Sequence, residues 1–115
     1  MNTTKIIESI GLEQFRLILE RYLGKIVVCP HAFDHLSDAQ RKIFKEEDLI
    51  NPLIKETPRG VGLQQNGRYA AFYRRKEYYL RIILEVKPER IEVVTFLNTE
   101  NIPNLDKIKN EKSQL

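Results

Sequence analysis

The spacing of apolar residues divides the chain into a helical first half and a β-rich second half. Before Pro58 the apolar positions recur at i, i+3 and i+4, which is the pattern of amphipathic helices. The first such run begins near Thr4, a suitable N-cap, is interrupted at Gly11, and stops at Gly24. It predicts a kinked or broken helix over residues 4–23.

Three shorter elements are predicted before Pro58. Residues 25–29 are mostly apolar and are followed by Pro30, which indicates a short strand. Residues 31–36 have the pattern of a helical segment. Residues 46–54 predict a further helix, because three acids begin it at the end where the helix dipole favours negative charge.

After Gly60 apolar and polar residues alternate with the period of two that is typical of strands. Asn66 and Gly67 give a strong hairpin-turn signal. Strands are expected at residues 60–65, 68–75, 78–87 and 90–97. One face of the third strand should be buried against the helices: Tyr78, Leu80, Ile82, Leu84 and Val86. The pattern predicts an α+β fold, an antiparallel sheet of four or five strands with helices packed on one face.

The length of 115 residues suits one domain with one hydrophobic core. We expect a single domain over residues 1–97, in which the N-terminal helix is followed by a core at residues 25–97, and a polar C-terminal tail over residues 98–115. Cys29 is the only cysteine, so no intramolecular disulfide can form. No apolar run approaches the ~20 residues of a membrane span, so a cytoplasmic location without membrane contact is expected.

Positive charge is concentrated in the predicted sheet. The formal net charge is +3, but residues 59–81 contain six basic residues against one acid, whereas residues 31–58 contain six acids against four bases. Arginine and tyrosine on one sheet can hold phosphates and stack bases, so the sequence predicts an RNA-binding surface. The residues expected to form it are Arg68, Tyr73, Arg74, Arg75 and Tyr79.

Five short motifs between residues 25 and 97 add a family resemblance. They are His31-Ala32, Glu47-Asp48-Leu49, Gly67-Arg68-Tyr69, Leu80-Arg81-Ile82 and Val93-Val94-Thr95. With the predicted order of strand, two helices and four-stranded meander, they resemble the small ribonuclease toxins of the RelE/ParE superfamily, most closely the BrnT-like branch. The resemblance implies a RelE-like fold, RNA as the substrate, and a small antitoxin protein as a partner.

The resemblance also implies metal-independent cleavage of RNA, in which the 2′-hydroxyl attacks the adjacent phosphate. Such a reaction needs a base, an acid and cations that stabilise the crowded phosphate. His31 is then the candidate acid or base, because the pKa of histidine lies near neutrality. Arg81 is the candidate for the phosphate, because the guanidinium fork binds oxyanions through two hydrogen bonds. No cofactor is expected.

Each candidate also has a structural explanation. His31 follows Pro30 at a predicted helix start and can serve as a cap there. Arg81 can pair with Glu85 or a cross-strand acid, and tyrosines on a sheet commonly pack against their neighbours. The alternative function is a non-catalytic nucleic-acid-binding or protein-interaction module on the same fold, in which the N-terminal helix makes a contact between copies of the chain.

A metal site is a further alternative. Cys29, His31 and His35 are close in sequence, and the two histidines at i, i+4 can share one helix face. A structural zinc needs four ligands and a catalytic zinc needs three with a water. The sequence offers no second ligand cluster, so no metal is expected.

Overall fold

The computed structural model describes residues 3–105, which form one sheet of six strands and three helices. The strands are β1 (Ile6–Ile10), β2 (Ile26–Val28), β3 (Gly60–Gln64), β4 (Tyr69–Arg74), β5 (Tyr79–Val86) and β6 (Ile91–Thr99). The helices are α1 (Leu12–Arg21), α2 (Asp38–Ile43) and α3 (Glu47–Lys55). Within this part of the chain, no helix has the length and apolar character needed to cross a membrane.

The strands lie in the order β1-β3-β4-β5-β6-β2. Strands β3 to β6 form the antiparallel meander that the alternation after Gly60 predicts. β1 adds an antiparallel strand beside β3, and β2 pairs in parallel with β6, where Ile26 lies opposite Ile91. The α+β class is confirmed. The prediction of a wholly antiparallel sheet of four or five strands is wrong, because local alternation carries no information about so distant a parallel partner.

The N-terminal segment differs from the predicted helix over residues 4–23. Residues Ile6–Ile10 form strand β1, and helix α1 begins only after Gly11, its N-cap. Isoleucines three and four residues apart fit a helix, but the same segment also fits a strand. β-Branched side chains favour the strand when a neighbouring strand offers its edge, and β3 does so here.

Two β-bulges decide which side chains share a face of the sheet. The register of β1 shifts after Ile6, so Ile6 and Ile10 lie on opposite faces although their spacing is even. In β6 the shift leaves Val94 without a partner on β5. Val93 and Phe96 therefore both belong to the core on the helix side, where simple alternation would separate them.

The larger core lies between the sheet and helices α1 and α3. It includes the inward face of β5 and the apolar side of both helices: Leu80, Ile82, Leu84, Phe15, Leu19, Leu49 and Leu53. Val86 packs against this cluster with part of its surface, whereas Tyr78 precedes β5 and lies outside the cluster. The predicted burial of this face is therefore confirmed except at Tyr78.

The opposite face carries a smaller apolar cluster, which two residues of the C-terminal segment partly cover. The members are Ile6, Ala70, Phe72 and Ile83, with Ile102 and Leu105 packed against them. Gly62 makes the approach of β1 possible, because a Cβ atom there would lie 2.5 Å from Cγ2 of Ile6. The sheet is thus apolar on both faces at its centre.

The structure describes residues 98–105 of the predicted C-terminal tail. Strand β6 continues to Thr99, and Ile102 and Leu105 contact the second face of the sheet. The rest of the predicted tail, residues 106–115, lies outside the described residues.

Residues 31–36 form turns instead of the predicted helical segment. Helix α2 starts after Ser37, whose hydroxyl accepts a hydrogen bond from Gln40 N at 3.2 Å while the Gln40 side chain accepts one from Ser37 N at 2.9 Å. This capping box fixes the start of α2. The acid-led start of α3 is confirmed, and Asp48 accepts a hydrogen bond from Lys45 N at 2.8 Å.

Leu84→Ala should destabilise the protein by about 2–5 kcal/mol, because removal of this fully buried side chain leaves a cavity under the helices. Urea unfolding followed by circular dichroism measures the loss. Leu97→Ala is a matched control on β6, since Leu97 is 42% exposed and its truncation should cost less than about 1 kcal/mol. Similar losses for both variants would contradict the assignment of the faces of β5.

Gly62→Ala should cost about 1–3 kcal/mol, because the new methyl group meets Ile6. Ile6→Ala vacates that space, so the double variant should be more stable than the sum of the single losses by at least about 0.5 kcal/mol. A double-mutant cycle from urea melts tests the coupling. Additive losses would show that the Ile6 side chain does not lie against residue 62.

Candidate nucleic-acid interface

The register of β4 on β5 brings basic and aromatic side chains together on the face opposite the helices. Arg74 lies opposite Tyr79, and Phe72 lies opposite Arg81. The guanidinium carbon of Arg74 is 5.0 Å from the centre of the Tyr79 ring, and that of Arg81 is 5.3 Å from the centre of the Phe72 ring. Both distances allow cation–π attraction.

Arg74 and Tyr79 belong to a basic surface where β4 turns into β5. We call this surface the hairpin end and define it as Arg59, Arg74, Arg75, Lys76 and Tyr79. The backbone of Arg59 reaches the same end of the sheet, where its N–H donates to the carbonyl oxygen of Phe72 at 2.7 Å. Arg74 is exposed and donates to the carbonyl oxygens of Tyr78 and Lys76 at 3.4 Å each. These long bonds leave most of its five N–H donors for a ligand.

Arg75 is already engaged by an acid. Its Nη1 and Nη2 atoms donate to the two carboxylate oxygens of Glu56 at 2.8 and 3.1 Å, the bidentate arrangement that is strongest for an Arg–carboxylate pair. The Arg75 side chain is only 27% exposed. It therefore joins the end of β4 to the C-cap of α3 and adds little net charge to the hairpin end.

The Arg81 guanidinium is engaged by other residues of the protein. Its Nη2 atom donates to Gln64 Oε1 at 2.7 Å and to the carbonyl oxygen of Thr4 at 3.3 Å. Gln64 is itself buried, and the Nε atom of Arg81 is buried without a hydrogen-bond partner among the described residues. This burial lowers the pKa of Arg81 from its ordinary value. These contacts are internal to the protein and give no support to the predicted phosphate role of Arg81.

Arg68 lies at the other end of β4 from the hairpin end. Its Nε atom donates to Glu85 Oε1 at 3.2 Å, across the strand pair. Six residues of extended chain separate Arg68 from Arg74, which corresponds to about 20 Å. Arg68 and the hairpin end are therefore separate surfaces.

Tyr73 faces the helices, and its side chain is fully buried in the larger core. The ring cannot stack on a base, so the predicted RNA contact is wrong at this residue. Burial raises the pKa of Tyr73 well above its usual range, and the nearby Glu56 carboxylate raises it further, whereas Arg75 opposes both. The hydroxyl oxygen has no hydrogen-bond partner among residues 3–105.

His31 lies in the turn after β2, with its side chain 82% exposed. Its Nδ1 atom is 2.8 Å from Asp34 Oδ2, and Arg41 donates to the carbonyl oxygen of Asp34 at 3.1 Å. The adjacent Ala32 belongs to the core on the helix side, whereas Arg81 stacks on the opposite face. His31 thus contacts Asp34 in its own turn, whereas Arg81 contacts Gln64 and Phe72, so the two predicted catalytic residues have no contact in common.

Two of the seven predicted site residues are in contact, namely Arg74 and Tyr79, whereas Arg75 follows Arg74 in the chain but pairs with Glu56. Arg59 and Lys76 complete the hairpin end, although sequence reasoning counted them only in the basic stretch. Their positions could have indicated this, because Arg59 precedes one predicted strand and Lys76 follows the next, at the same end of the antiparallel pair. Asp34 was also missed as the partner of His31, and the signal there was its i+3 spacing in a turn.

Metal ligation finds no support in this part of the molecule: residues 3–105 contain no group of three or more His, Cys, Asp or Glu side chains that could hold an ion. Comparisons with protein-family models, curated proteins and solved structures gave no match to this chain.

Tyr73→Phe should leave stability at pH 7 unchanged or slightly higher, because the lost hydroxyl has no partner. A raised folded-state pKa means that the phenol ionises first in the unfolded chain. The associated stability is complete below the unfolded pKa of about 10 and is lost as the pH rises above it. Urea melts at pH 7 and at about pH 10.5 should therefore show a smaller alkaline loss for the variant than for wild type. The same loss in both proteins would place Tyr73 in water.

Proposed function

We propose that this protein binds single-stranded RNA at the hairpin end. The observation that carries the proposal is the exposed Arg74 guanidinium, held 5.0 Å from the Tyr79 ring centre. A guanidinium plane and an aromatic ring are both surfaces on which an unpaired base stacks, and the guanidinium N–H groups also bind phosphate.

The charges that remain uncompensated support the same location. Glu56 pairs with Arg75 and Glu85 pairs with Arg68. Within residues 3–105, by contrast, Arg59, Arg74 and Lys76 make no ion pair with an acid. Arg74 and Lys76 lie in the same hairpin, where Arg74 donates to the carbonyl oxygen of Lys76, and two such cations attract a phosphate backbone. Two phosphate contacts with a single strand predict that log K falls with log salt at a slope of about −1.4.

Binding of a fluorescent single-stranded RNA, measured by anisotropy at several salt concentrations, tests this proposal. Arg74→Ala should weaken binding and reduce the magnitude of the salt slope by about 0.7, because one phosphate contact is lost. Arg74→Lys should restore the slope but only part of the affinity, since lysine lacks the planar fork. Arg68→Ala is the matched control, because that arginine lies at the far end of β4 and is paired with Glu85.

Tyr79→Ala should reduce the affinity by about 1–3 kcal/mol at every salt concentration and leave the slope unchanged, because it removes stacking and no charge. Wild-type affinity and slope in both Arg74→Ala and Tyr79→Ala would refute an RNA-binding hairpin end.

A second candidate function is metal-independent endoribonuclease activity of a toxin-like protein that a small antitoxin neutralises. The observation that favours it is the contact between His31 and Asp34 at 2.8 Å. An ionised carboxylate fixes the proton on Nδ1 and leaves Nε2 of the exposed imidazole to exchange a proton with RNA.

RNA incubated with the protein and excess chelator should, on this second reading, yield 2′,3′-cyclic phosphate ends. His31→Ala should abolish the cleavage, and Asp34→Asn should reduce it while RNA binding persists. Intact RNA under conditions where binding is saturated would restrict the function to binding.

A further inference from the structure

An acid contacts the hairpin end, where the proposed function needs positive charge. Both carboxylate oxygens of Glu56 accept hydrogen bonds from Arg75, at 2.8 Å from Nη1 and 3.1 Å from Nη2. A phosphate group offers an arginine the same pair of parallel hydrogen bonds. The Glu56 carboxylate therefore fills a place on Arg75 that a phosphate can fill, and it neutralises the charge that would attract one.

The Arg75 guanidinium lies beside the residue on which the RNA-binding proposal depends. Its Nη1 atom also donates to the carbonyl oxygen of Arg74 at 2.9 Å. The backbone N–H of Arg75 donates to the carbonyl oxygen of Tyr78 at 2.8 Å, which closes the turn between β4 and β5. Arg75 is therefore placed as a further phosphate contact next to Arg74, but its charge is already compensated.

The position of Glu56 at the end of α3 is unfavourable for the helix itself. Glu56 is the C-cap, and its backbone N–H donates to the carbonyl oxygen of Pro52 at 3.0 Å. The C-terminal end of a helix carries partial negative charge, so it favours a cation and disfavours a carboxylate. Loss of the carboxylate would remove this repulsion together with the ion pair. An uncharged residue at position 56 is therefore compatible with the fold.

Both side chains of the pair are partly exposed, Glu56 by 43% and Arg75 by 27%. Ion pairs that water and salt can reach contribute little to stability, because their attraction is screened. The backbones of both residues are held by the hydrogen bonds described above. An exchange of Glu56 for a phosphate on Arg75 therefore requires movement of the two side chains only.

We propose that Glu56 is an internal competitor of RNA phosphate, which withholds Arg75 from the ligand and keeps the affinity of the hairpin end low. This inference rests on the RNA-binding function proposed above. In the wild type two cations, Arg74 and Lys76, carry the salt dependence. Release of Arg75 adds a third cation and with it one more phosphate contact.

Glu56→Gln tests the proposal, because the amide keeps the size of the side chain and one hydrogen-bond acceptor but removes the charge. Anisotropy titrations with a fluorescent single-stranded oligouridylate at several salt concentrations measure the effect. The variant should bind at least about fivefold more tightly at low salt, since one contact between a cation and a phosphate is gained. The magnitude of the salt slope should rise from about 1.4 to about 2.1.

Glu85→Gln is the matched control, because it removes the same charge and releases the same type of partner. Arg68 donates to Glu85 at 3.2 Å at the far end of β4 from the hairpin. Lys87, the other cation beside Glu85, keeps its ion pair with Glu92 at 3.2 Å. The salt slope of this variant should stay within about 0.3 of the wild-type value. An increase equal to that of Glu56→Gln would show that net charge alone raises the affinity, and would overturn the proposal.

The double variant Glu56→Gln with Arg75→Gln identifies the cation that is released. It should return the affinity and the salt slope to about the wild-type values, because both charges of the pair are then absent. A gain that persists in the double variant would contradict the role of Arg75. Circular dichroism shows whether each variant keeps the fold, and Glu56→Ser is a second uncharged replacement that should give the same gain if Glu56→Gln does not fold.

The results also separate this inference from the function on which it rests. Wild-type binding that Arg74→Ala weakens, without a gain in Glu56→Gln, would overturn the role of Glu56 and leave the RNA-binding site in place. A gain in Glu56→Gln that the double variant loses supports both proposals. Absence of RNA binding by the wild type and by Glu56→Gln alike would overturn both.

Discussion

Burial of β4 and β5 on both faces is the constraint on which the rest of this structure depends. Ala71 and Ile82 lie in the core under the helices, while Ala70 and Ile83 lie in the cluster on the opposite face. A sheet whose central strands are apolar on both sides needs two covers. Helices α1 and α3 form the larger cover, and side chains from β1 and the C-terminal segment form the smaller one.

The smaller cover also determines which arginine side chains on the second face remain exposed to solvent. Arg81 lies over Phe72 and binds Gln64, so its guanidinium completes the second face instead of facing a ligand. Arg74 follows Phe72 by two residues on the same face of β4, beyond the covered area. Its exposed guanidinium makes a similar contact with the Tyr79 ring. Arg74 and Arg81 on one face thus differ in exposure, because the cover extends over Arg81 and stops before Arg74.

Much of the fold could be predicted from the sequence, and the errors have identifiable causes. Alternation after Gly60 located the meander and the inward face of β5, because a buried face imposes a period of two. The strand at β2 was predicted, but its parallel pairing with β6 and the strand β1 were missed, since pairing between distant strands leaves no local pattern. Each bulge, after Ile6 and at Val94, adds one residue and reverses the alternation beyond it, which spacing alone does not reveal.

The candidate site was predictable only as a region. The basic stretch contains Arg59, Arg74 and Lys76, but which arginines are already engaged depends on the carboxylates of Glu56 and Glu85 and on the neutral amide of Gln64. Those partners are 17 to 19 residues away in sequence and are brought close by the register of the sheet. The burial of Tyr73 was not predicted for the same reason. It depends on the helices that pack on β4 once β3 and β5 pair with that strand.

The strand order has a consequence for synthesis on the ribosome. Both edges of the sheet, β1 and β2, come from the first quarter of the chain, whereas the four strands between them are made later. Ile26 cannot pair until Ile91 has left the ribosome, and at roughly 5–20 residues per second this interval is about 3–13 s. Until β3, β4 and β5 have also been made, the apolar residues of α1 and β2 have no sheet to cover. The order of the strands therefore makes the nascent chain depend on its own helix, or on a chaperone, for protection until its last strand is complete.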